Sequence, residues 1–195
     1  MNTELSPKAA EIIAHTRSLL EAGSYNSFSY ADISARVHIS KASIHHHFPS
    51  KAELVRVVVA RYRIEARAGM AVLNQQLADP LDALKAYVNY WSKCIKDGTS
   101  SFCICALLAA EMPTIPEEVA AEVQGHFEDL STWLTSIFAK GVAEGKFHLK
   151  DSPAIEARGF MASVHGAMLA ARGFGDPQAF ETLAQLSINR LTLAN

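Results

Sequence analysis

Two short segments carry side chains whose types and spacing could do chemistry. Residues 41–47 read Lys-Ala-Ser-Ile-His-His-His, so hydrogen-bond donors and small side chains surround one apolar residue, Ile44. Residues 103–105 read Cys-Ile-Cys, and cysteine thiolates act as nucleophiles and as metal ligands. The first segment suits contact with the edges of DNA bases. The second suits thiol chemistry.

The residues around the first segment predict two short helices, a tight turn and the start of a third helix. Ser29 precedes one helix with Asp32 at its third position, Ser40 precedes the next, and Ser50 is followed by Glu53 at capping-box spacing. One small core is predicted from the apolar residues of this region, namely Ile33, Val37, Ile39, Ile44, Phe48 and Leu54. A short exposed helix braced in this way is the geometry of helix-turn-helix DNA recognition.

The stretch from about Pro7 to Tyr62 resembles the amino-terminal DNA-binding domain of TetR-type transcriptional regulators. The resemblance rests on Asp32-Ile33 and on the ungapped run from Val37 to Leu54, which includes His-His-His-Phe-Pro-Ser-Lys. Two positions depart from the family pattern. His38 replaces the usual turn glycine, so a residue with a side chain is expected to adopt an unusual backbone angle there. His45 replaces the usual tyrosine.

The resemblance implies which residues contact DNA. It assigns base-edge contacts to Lys41, Ala42, Ser43 and His46, places His45 at a contact position, and assigns phosphate contacts to Ser29, His47 and Lys51. The chemistry agrees, because lysine donates to guanine and alanine packs on the thymine methyl group. For Ser29 the alternative is a capping role without DNA contact. Three successive histidines do not predict a metal site, because neighbouring positions on a helix point in different directions.

Charge and composition agree with a DNA-binding head. The whole chain has a net charge of −2, but residues 1–63 contain eight basic and five acidic residues and therefore carry +3, which leaves −5 for the remainder. A basic head with an acidic body suits phosphate binding at one end. No apolar run is long enough to span a bilayer, and the polar amino terminus does not read as a signal peptide. Three cysteines favour a reducing cytoplasm over a disulfide framework.

Helix signals predict an all-α protein of about nine helices. Four helix starts are marked by a capping residue followed by proline, at Ser6-Pro7, Asp79-Pro80, Ser152-Pro153 and Asp176-Pro177. Apolar residues between them recur at spacings of three and four. We divide the chain into a three-helix DNA-binding domain (1–50), a connecting helix (51–77) and a helical body for effector binding and dimerisation (78–195).

The segment from Thr99 to Glu111 resembles the start of a body helix in a subset of TetR regulators that includes electrophile-responsive repressors. In that resemblance Cys103 matches a frequent cysteine, and Cys105 is an addition. The alternative is that both are small buried hydrophobic residues. A metal site on Cys-x-Cys is disfavoured, because residues two apart on a helix face different sides and no third ligand lies nearby in sequence. No metal or cofactor is therefore predicted.

Other body residues are candidates for effector binding and dimerisation. An effector cavity is predicted to involve Phe102, Trp133, Met161 and His165 beside the two thiols, with a core or interface role as the alternative for His165. The last two helices, about 153–172 and 177–193, are rich in apolar residues, and the resemblance implies that they form a four-helix dimer interface. The interface residues predicted there are Phe160, Val164, Ala167, Leu183 and Leu186.

These observations predict a cytoplasmic, homodimeric repressor that binds double-stranded operator DNA and is not an enzyme. Its release is expected from an apolar or electrophilic small molecule or from thiol modification. One alternative is a thiol-dependent enzyme acting on peroxides or quinones, although no catalytic triad, phosphate loop or carboxylate pair is evident. Another is a helical interaction module that has lost DNA binding.

Overall fold

The computed structural model describes residues 5–100 and 102–192, and within these ranges the protein is built from α-helices, with one short 3₁₀ turn at Tyr25–Ser27 and no strand. The predicted all-α class with about nine helices is confirmed. The helices are α1 (Pro7–Gly23), α2 (Tyr30–Val37), α3 (Lys41–His47), α4 (Lys51–Gln76), α5 (Pro80–Asp97), α6 (Ile104–Ala110), α7 (Glu117–Ala143), α8 (Pro153–Phe174) and α9 (Pro177–Thr192).

The four predicted helix starts are confirmed by their capping hydrogen bonds. The Ser6 hydroxyl accepts from the backbone of Ala9 at 3.2 Å, and the Asp79 carboxylate accepts from Leu81 at 2.8 Å. Ser152 caps α8 in the same way, and Asp176 accepts from the second residue of α9 at 2.9 Å. In each case proline follows at the first helical position, where a missing N–H costs nothing.

The chain divides into two compact units. Among the described residues, the first contains 5–64 and 103–126, and therefore joins α1–α3 and the first half of α4 to α6 and the start of α7. Within it, α1 packs on α2 and on α6, and α2 packs on α3. Its core includes five of the six apolar residues predicted for the head, namely Ile33, Val37, Ile44, Phe48 and Leu54. The sixth, Ile39, is only half-buried, because it lies in the turn between α2 and α3.

The turn between α2 and α3 requires a backbone conformation that side chains disfavour. His38 caps α2 at φ 55° and ψ 43°, in the left-handed region. The expectation of an unusual backbone angle at this position is confirmed. The Ser34 hydroxyl donates to the carbonyl of Ile39 at 2.5 Å and so helps to fix the turn.

The second unit contains the described residues 65–100, 102 and 127–192. Its α9 packs against α8 and α5. Gly141 permits close packing here, because a side chain at this position would meet the ring of Phe147 at 2.1 Å. Among the described residues, no helix is long and apolar enough to cross a membrane.

Candidate nucleic-acid interface and thiol cluster

The α3 helix turns one apolar side chain inward and presents its polar side chains outward. Ile44 is fully buried, whereas Lys41, Ala42, Ser43 and His46 are exposed. The Ser40 hydroxyl caps the helix by accepting from the backbone of Ser43 at 3.1 Å. The four residues predicted to contact bases therefore share one accessible surface.

His45 and His47 are held differently from His46. The Nδ1 of His45 lies 3.1 Å from the carbonyl oxygen of Pro49, and its ring packs 4.7 Å from the ring of Tyr30. Tyr30 is fixed in turn, because its hydroxyl donates to the carbonyl of Phe48 at 2.9 Å and burial raises its pKa to about 12. The ring of His47 is half-buried and meets the edge of His46 at 5.7 Å. His45 thus braces α3 against α2 while remaining exposed.

Ser29 forms a complete capping box at the start of α2. Its side chain accepts from the backbone of Ala31 at 3.2 Å and donates to Asp32 at 2.8 Å, and its backbone N–H donates to Asp32 at 2.7 Å. The hydrogen bonds from Ser29 hold the pKa of Asp32 below its ordinary value. The capping role predicted for Ser29 is therefore confirmed.

The half-buried side chain of Lys51 makes its contacts within the DNA-binding head. Its ammonium group donates to the backbone carbonyls of Tyr25, at 2.6 Å, and Phe28, and it lies over both of their rings at 4.5 and 4.2 Å from the centroids. Burial lowers the pKa of Lys51. Besides any phosphate contact, this lysine ties the start of α4 to the segment that precedes α2.

The two predicted sensor cysteines lie in the first unit and converge with a histidine. Cys103 is the N-cap of α6 with an extended backbone, φ −66° and ψ 118°, and Cys105 lies inside the helix. The expectation that these thiols face different sides is wrong, because it assumed that both residues were helical. The Sγ atoms of Cys103 and Cys105 and a ring nitrogen of His126 all lie within 4.8 Å of one another. Since His126 comes from α7, sequence spacing gave no signal for its position.

The thiol cluster, which we define as Cys103, Cys105, His126 and Tyr62, is closed from solvent. The relative exposures are 1% for Cys103, 0% for Cys105 and 4% for His126. The Tyr62 hydroxyl donates to Cys103 Sγ at 3.4 Å, and His126 Nε2 lies 3.7 Å from the same sulfur. Burial, followed by the hydrogen bond to Cys103, raises the pKa of the Cys105 thiol well above its ordinary value.

An ion pair flanks the cluster. The Arg63 guanidinium lies 3.3 Å from the Glu122 carboxylate, and these two groups act in opposite directions on the Cys105 pKa, Arg63 lowering it and Glu122 raising it. Gly125 makes this arrangement possible, because a side chain there would meet the guanidinium at 2.1 Å.

The other predicted effector residues lie in the second unit. Trp133 donates from Nε1 to Asn74 at 2.8 Å, and the His165 ring meets the Phe127 ring at 5.5 Å. Phe102 lies under the guanidinium of Arg172 at 4.8 Å, and Met161 is buried. A cleft of about 230 Å³ in this unit is lined by other residues, namely Asn74, Leu77, Ala78, Pro80, Ser136, Ile137 and Lys140.

The predicted dimer residues separate into two groups. Phe160, Val164 and Ala167 are buried within the chain, with at most 4% exposure, because this face of α8 belongs to the core of the unit. Leu183 and Leu186 are exposed on α9. The same terminal helices expose Ile155, Leu169 and Phe174, which lie outside the set of five predicted interface residues.

The exposed donors of α3, the helix that braces it and the turn between them define a helix-turn-helix DNA-binding regulator. The comparisons agree. A sequence profile described as "Bacterial regulatory proteins, tetR family" matches residues 12–58, and one described as "Tetracyclin repressor-like, C-terminal domain" matches residues 80–186. This chain belongs to the TetR family of transcriptional regulators.

Three solved structures are similar to this chain. A TetR-family transcriptional regulator from Agrobacterium tumefaciens is 50% identical, with a TM-score of 0.93 over 95% of this chain and 98% of that one. E. coli NemR in its reduced form is 15% identical, with a TM-score of 0.80 over 94% of this chain and 97% of that one. AibR in complex with isovaleryl coenzyme A and operator DNA is 19% identical, with a TM-score of 0.72 over 95% of this chain and 98% of that one. The last two show the fold alone. No protein of curated function matches the chain significantly.

Membership of the family confirms the predicted class of function. TetR-family regulators are ligand-responsive, DNA-binding repressors that act as dimers.

Proposed function

We propose that this regulator binds a palindromic operator as a homodimer, with α3 of each subunit in the major groove. The observation that carries this proposal is the α3 surface, where Lys41, Ala42, Ser43 and His46 are exposed around the buried Ile44. These side chains would contact base edges, with His45 at their border. Ser29, His47 and Lys51 would contact the flanking phosphates. An ammonium group has three donors, so Lys51 keeps one for a phosphate beside its two carbonyl partners.

The dimer is proposed to form through the exposed apolar residues of α8 and α9. Leu183 and Leu186 are exposed members of the interface that the sequence predicts, and Ile155, Leu169 and Phe174 extend the surface. Phe174 is 79% exposed and Leu169 is 61% exposed, and apolar residues grouped on two adjacent helices favour a partner that covers them. A two-fold axis through this surface would also match the symmetry of the operator.

Release from the operator is proposed to follow an event in the body. The first route is reversible binding of an apolar molecule in the second unit, with Trp133, Met161, His165 and Phe102 as candidate contacts. The second route is modification of Cys103 or Cys105 in the thiol cluster. The burial of both sulfurs favours small oxidants over bulky electrophiles for this second route. Either event must favour a DNA-incompetent state to cause release.

We propose that the protein acts by binding and not by turnover. A thiol enzyme for quinones needs a sulfur that a bulky substrate can reach, and both cysteines of the cluster are at most 1% exposed. Stoichiometric consumption of peroxide would support this view, and repeated turnover with a thiol reductant would oppose it. Because operator DNA is its target, we place the protein in the cytoplasm.

The proposal is tested by operator binding to DNA from around the protein's own gene. Binding is compared for the wild type, Cys103→Ser and Cys94→Ser, with and without hypochlorite as a small oxidant. Cys94 is the matched control, since it is a free cysteine that lies outside the cluster. Release of the wild type and Cys94→Ser, but not of Cys103→Ser, would support the thiol route.

Other results of the same experiment distinguish the reversible-ligand route and the interaction-module alternative from the thiol route. Tight binding that no oxidant alters would favour the reversible-ligand route. Lys41→Met should weaken operator binding by about 1–3 kcal/mol. If neither the wild type nor this variant shows specific, salt-sensitive binding to any DNA from that region, the interaction-module alternative gains and the repressor proposal fails.

A further inference from the structure

The thiol cluster has the composition and spacing of a metal site. Two thiols and one imidazole are the ligands that zinc and copper(I) prefer, and the cluster contains no carboxylate that would suit magnesium or calcium. We propose that Cys103, Cys105 and His126 bind a thiophilic d¹⁰ metal ion, with Zn²⁺ favoured. This inference goes beyond the proposed function and does not depend on it.

The distances support the assignment. In tetrahedral zinc sites the Zn–S and Zn–N bonds of about 2.3 and 2.0 Å place ligand atoms about 3.5–3.8 Å apart. Cys103 Sγ and His126 Nε2 are already 3.7 Å apart, and the three ligand atoms lie within 4.8 Å of one another. Side-chain shifts of about 1 Å therefore suffice to form the site. The Tyr62 hydroxyl donates to Cys103 Sγ at 3.4 Å and can keep this hydrogen bond to the thiolate when a metal ion is bound.

The local backbone explains how neighbouring cysteines can share an ion. Because Cys103 precedes the first turn of α6 and Cys105 lies within it, the two sulfurs do not follow the angular spacing of a regular helix. The His126 ring reaches them from α7, and it packs 5.3 Å from the Tyr62 ring. All three ligands belong to the same compact unit.

Charge favours Zn²⁺ over Cu⁺ at this site. Zn²⁺ would displace one proton from each thiol, so the ion and two thiolates would be neutral together, with His126 uncharged. The flanking Arg63–Glu122 pair is also neutral overall. Cu⁺ in the same site would leave one net negative charge in a buried position, which is costly.

The test uses the reduced full-length protein, freed of metal, without DNA. Zn²⁺ is titrated in competition with a chromophoric chelator, and Co²⁺ serves as a spectroscopic substitute. We expect one ion per chain and a tetrahedral Co²⁺ spectrum with sulfur-to-cobalt charge-transfer bands. Cys105→Ser should halve those bands and weaken Zn²⁺ binding by more than about 100-fold, beyond the range of outer-shell changes. Cys94→Ser should bind as the wild type does.

Different results of this experiment test the three ligands and the choice of metal. Wild-type spectra without thiolate charge transfer, or equal Zn²⁺ binding by Cys105→Ser, would overturn the site. Circular dichroism of each variant, together with His126→Gln as a second ligand variant, guards against misfolding as the cause of a lost spectrum. Binding of Cu⁺ but not Zn²⁺, measured with a copper(I)-specific chelator, would keep the ligands and overturn the choice of zinc. Because no DNA is present, failure here leaves the operator proposal intact, and the converse also holds.

Discussion

Replacing Lys51 by methionine should destabilise the protein, and it separates a structural role from a DNA-contact role. The ammonium group donates to the carbonyls of Tyr25 and Phe28 and lies over both of their rings. Methionine matches the unbranched apolar stem of lysine up to Cε but lacks the ammonium group and donates no hydrogen bond. The change therefore leaves two backbone carbonyls without their lysine donor, in the segment that leads into α2.

The size of the destabilisation caused by Lys51→Met follows from contributions of opposite sign. Two charge-assisted hydrogen bonds contribute roughly 1.5–3 kcal/mol each, and each cation–π contact contributes roughly 0.5–1 kcal/mol. Desolvation opposes both, and it is large enough to lower the pKa of Lys51 despite these partners. Part of the gross stabilisation is also screened by solvent, so we expect Lys51→Met to lower the free energy of unfolding by about 1–2 kcal/mol.

The assay combines unfolding with DNA binding. Urea denaturation should show the loss directly, and the melting temperature should fall by about 2–8 °C. Lys41→Met is the matched control, because Lys41 is exposed on α3; it should weaken operator binding without changing stability. If Lys51→Met unfolds as the wild type does but lowers the salt dependence of operator binding by about one phosphate contact, the structural reasoning for Lys51 is refuted.

Three further predictions follow from single features. His38→Gly should stabilise the protein by about 0.5–1 kcal/mol in urea denaturation, because it relieves the left-handed backbone, whereas His38→Ala, which keeps the strain, should not. The hydrogen bond from Lys146 to Asp79 holds the pKa of Asp79 below its ordinary value of 3.8, so the ionised carboxylate stabilises the fold at neutral pH and this contribution is lost as the pH falls below about 4. Asp79→Asn, which retains a helix cap, should therefore make the free energy of unfolding less dependent on pH in that range. An unchanged acid-unfolding profile would contradict this. Leu186→Glu should shift the protein from dimer to monomer in sedimentation and weaken operator binding, whereas Val72→Glu, at a similarly exposed apolar residue of α4, should do neither.

Much of the fold could be predicted because its determinants are local. A capping side chain followed by proline needs no tertiary information, and Ser6, Asp79 and Ser152 each cap the helix predicted for them. The unusual angle at His38 was also predictable, because the turn of this motif requires a left-handed residue whatever its side chain. Local signals were therefore sufficient to predict the helices and the DNA-binding head.

Features that depend on partners distant in sequence could not be predicted. Phe160 and Leu186 are both apolar residues of terminal helices, and periodicity alone does not tell whether such a residue faces its own core or another subunit. The structure buries the first and exposes the second. Likewise, Cys103 and Cys105 converge because helix α6 begins one residue after Cys103, and His126 reaches them from another helix.

Because the thiol cluster is buried, we expect a change at one of its sulfurs to disturb the residues packed around it. Tyr62, which donates to Cys103, belongs to α4, and the guanidinium of Arg17 on α1 lies 5.1 Å from its ring centroid. A group added to the Cys103 sulfur has no free solvent to occupy, since that residue is 1% exposed, so it must displace these neighbours. Overpacking of a core costs about 1–3 kcal/mol, which equals the usual range of allosteric coupling and corresponds to about 5–150-fold in affinity. Because α1 packs directly on α2, a displacement of α1 by a change at one sulfur would reach the DNA-binding helices through a single helix contact.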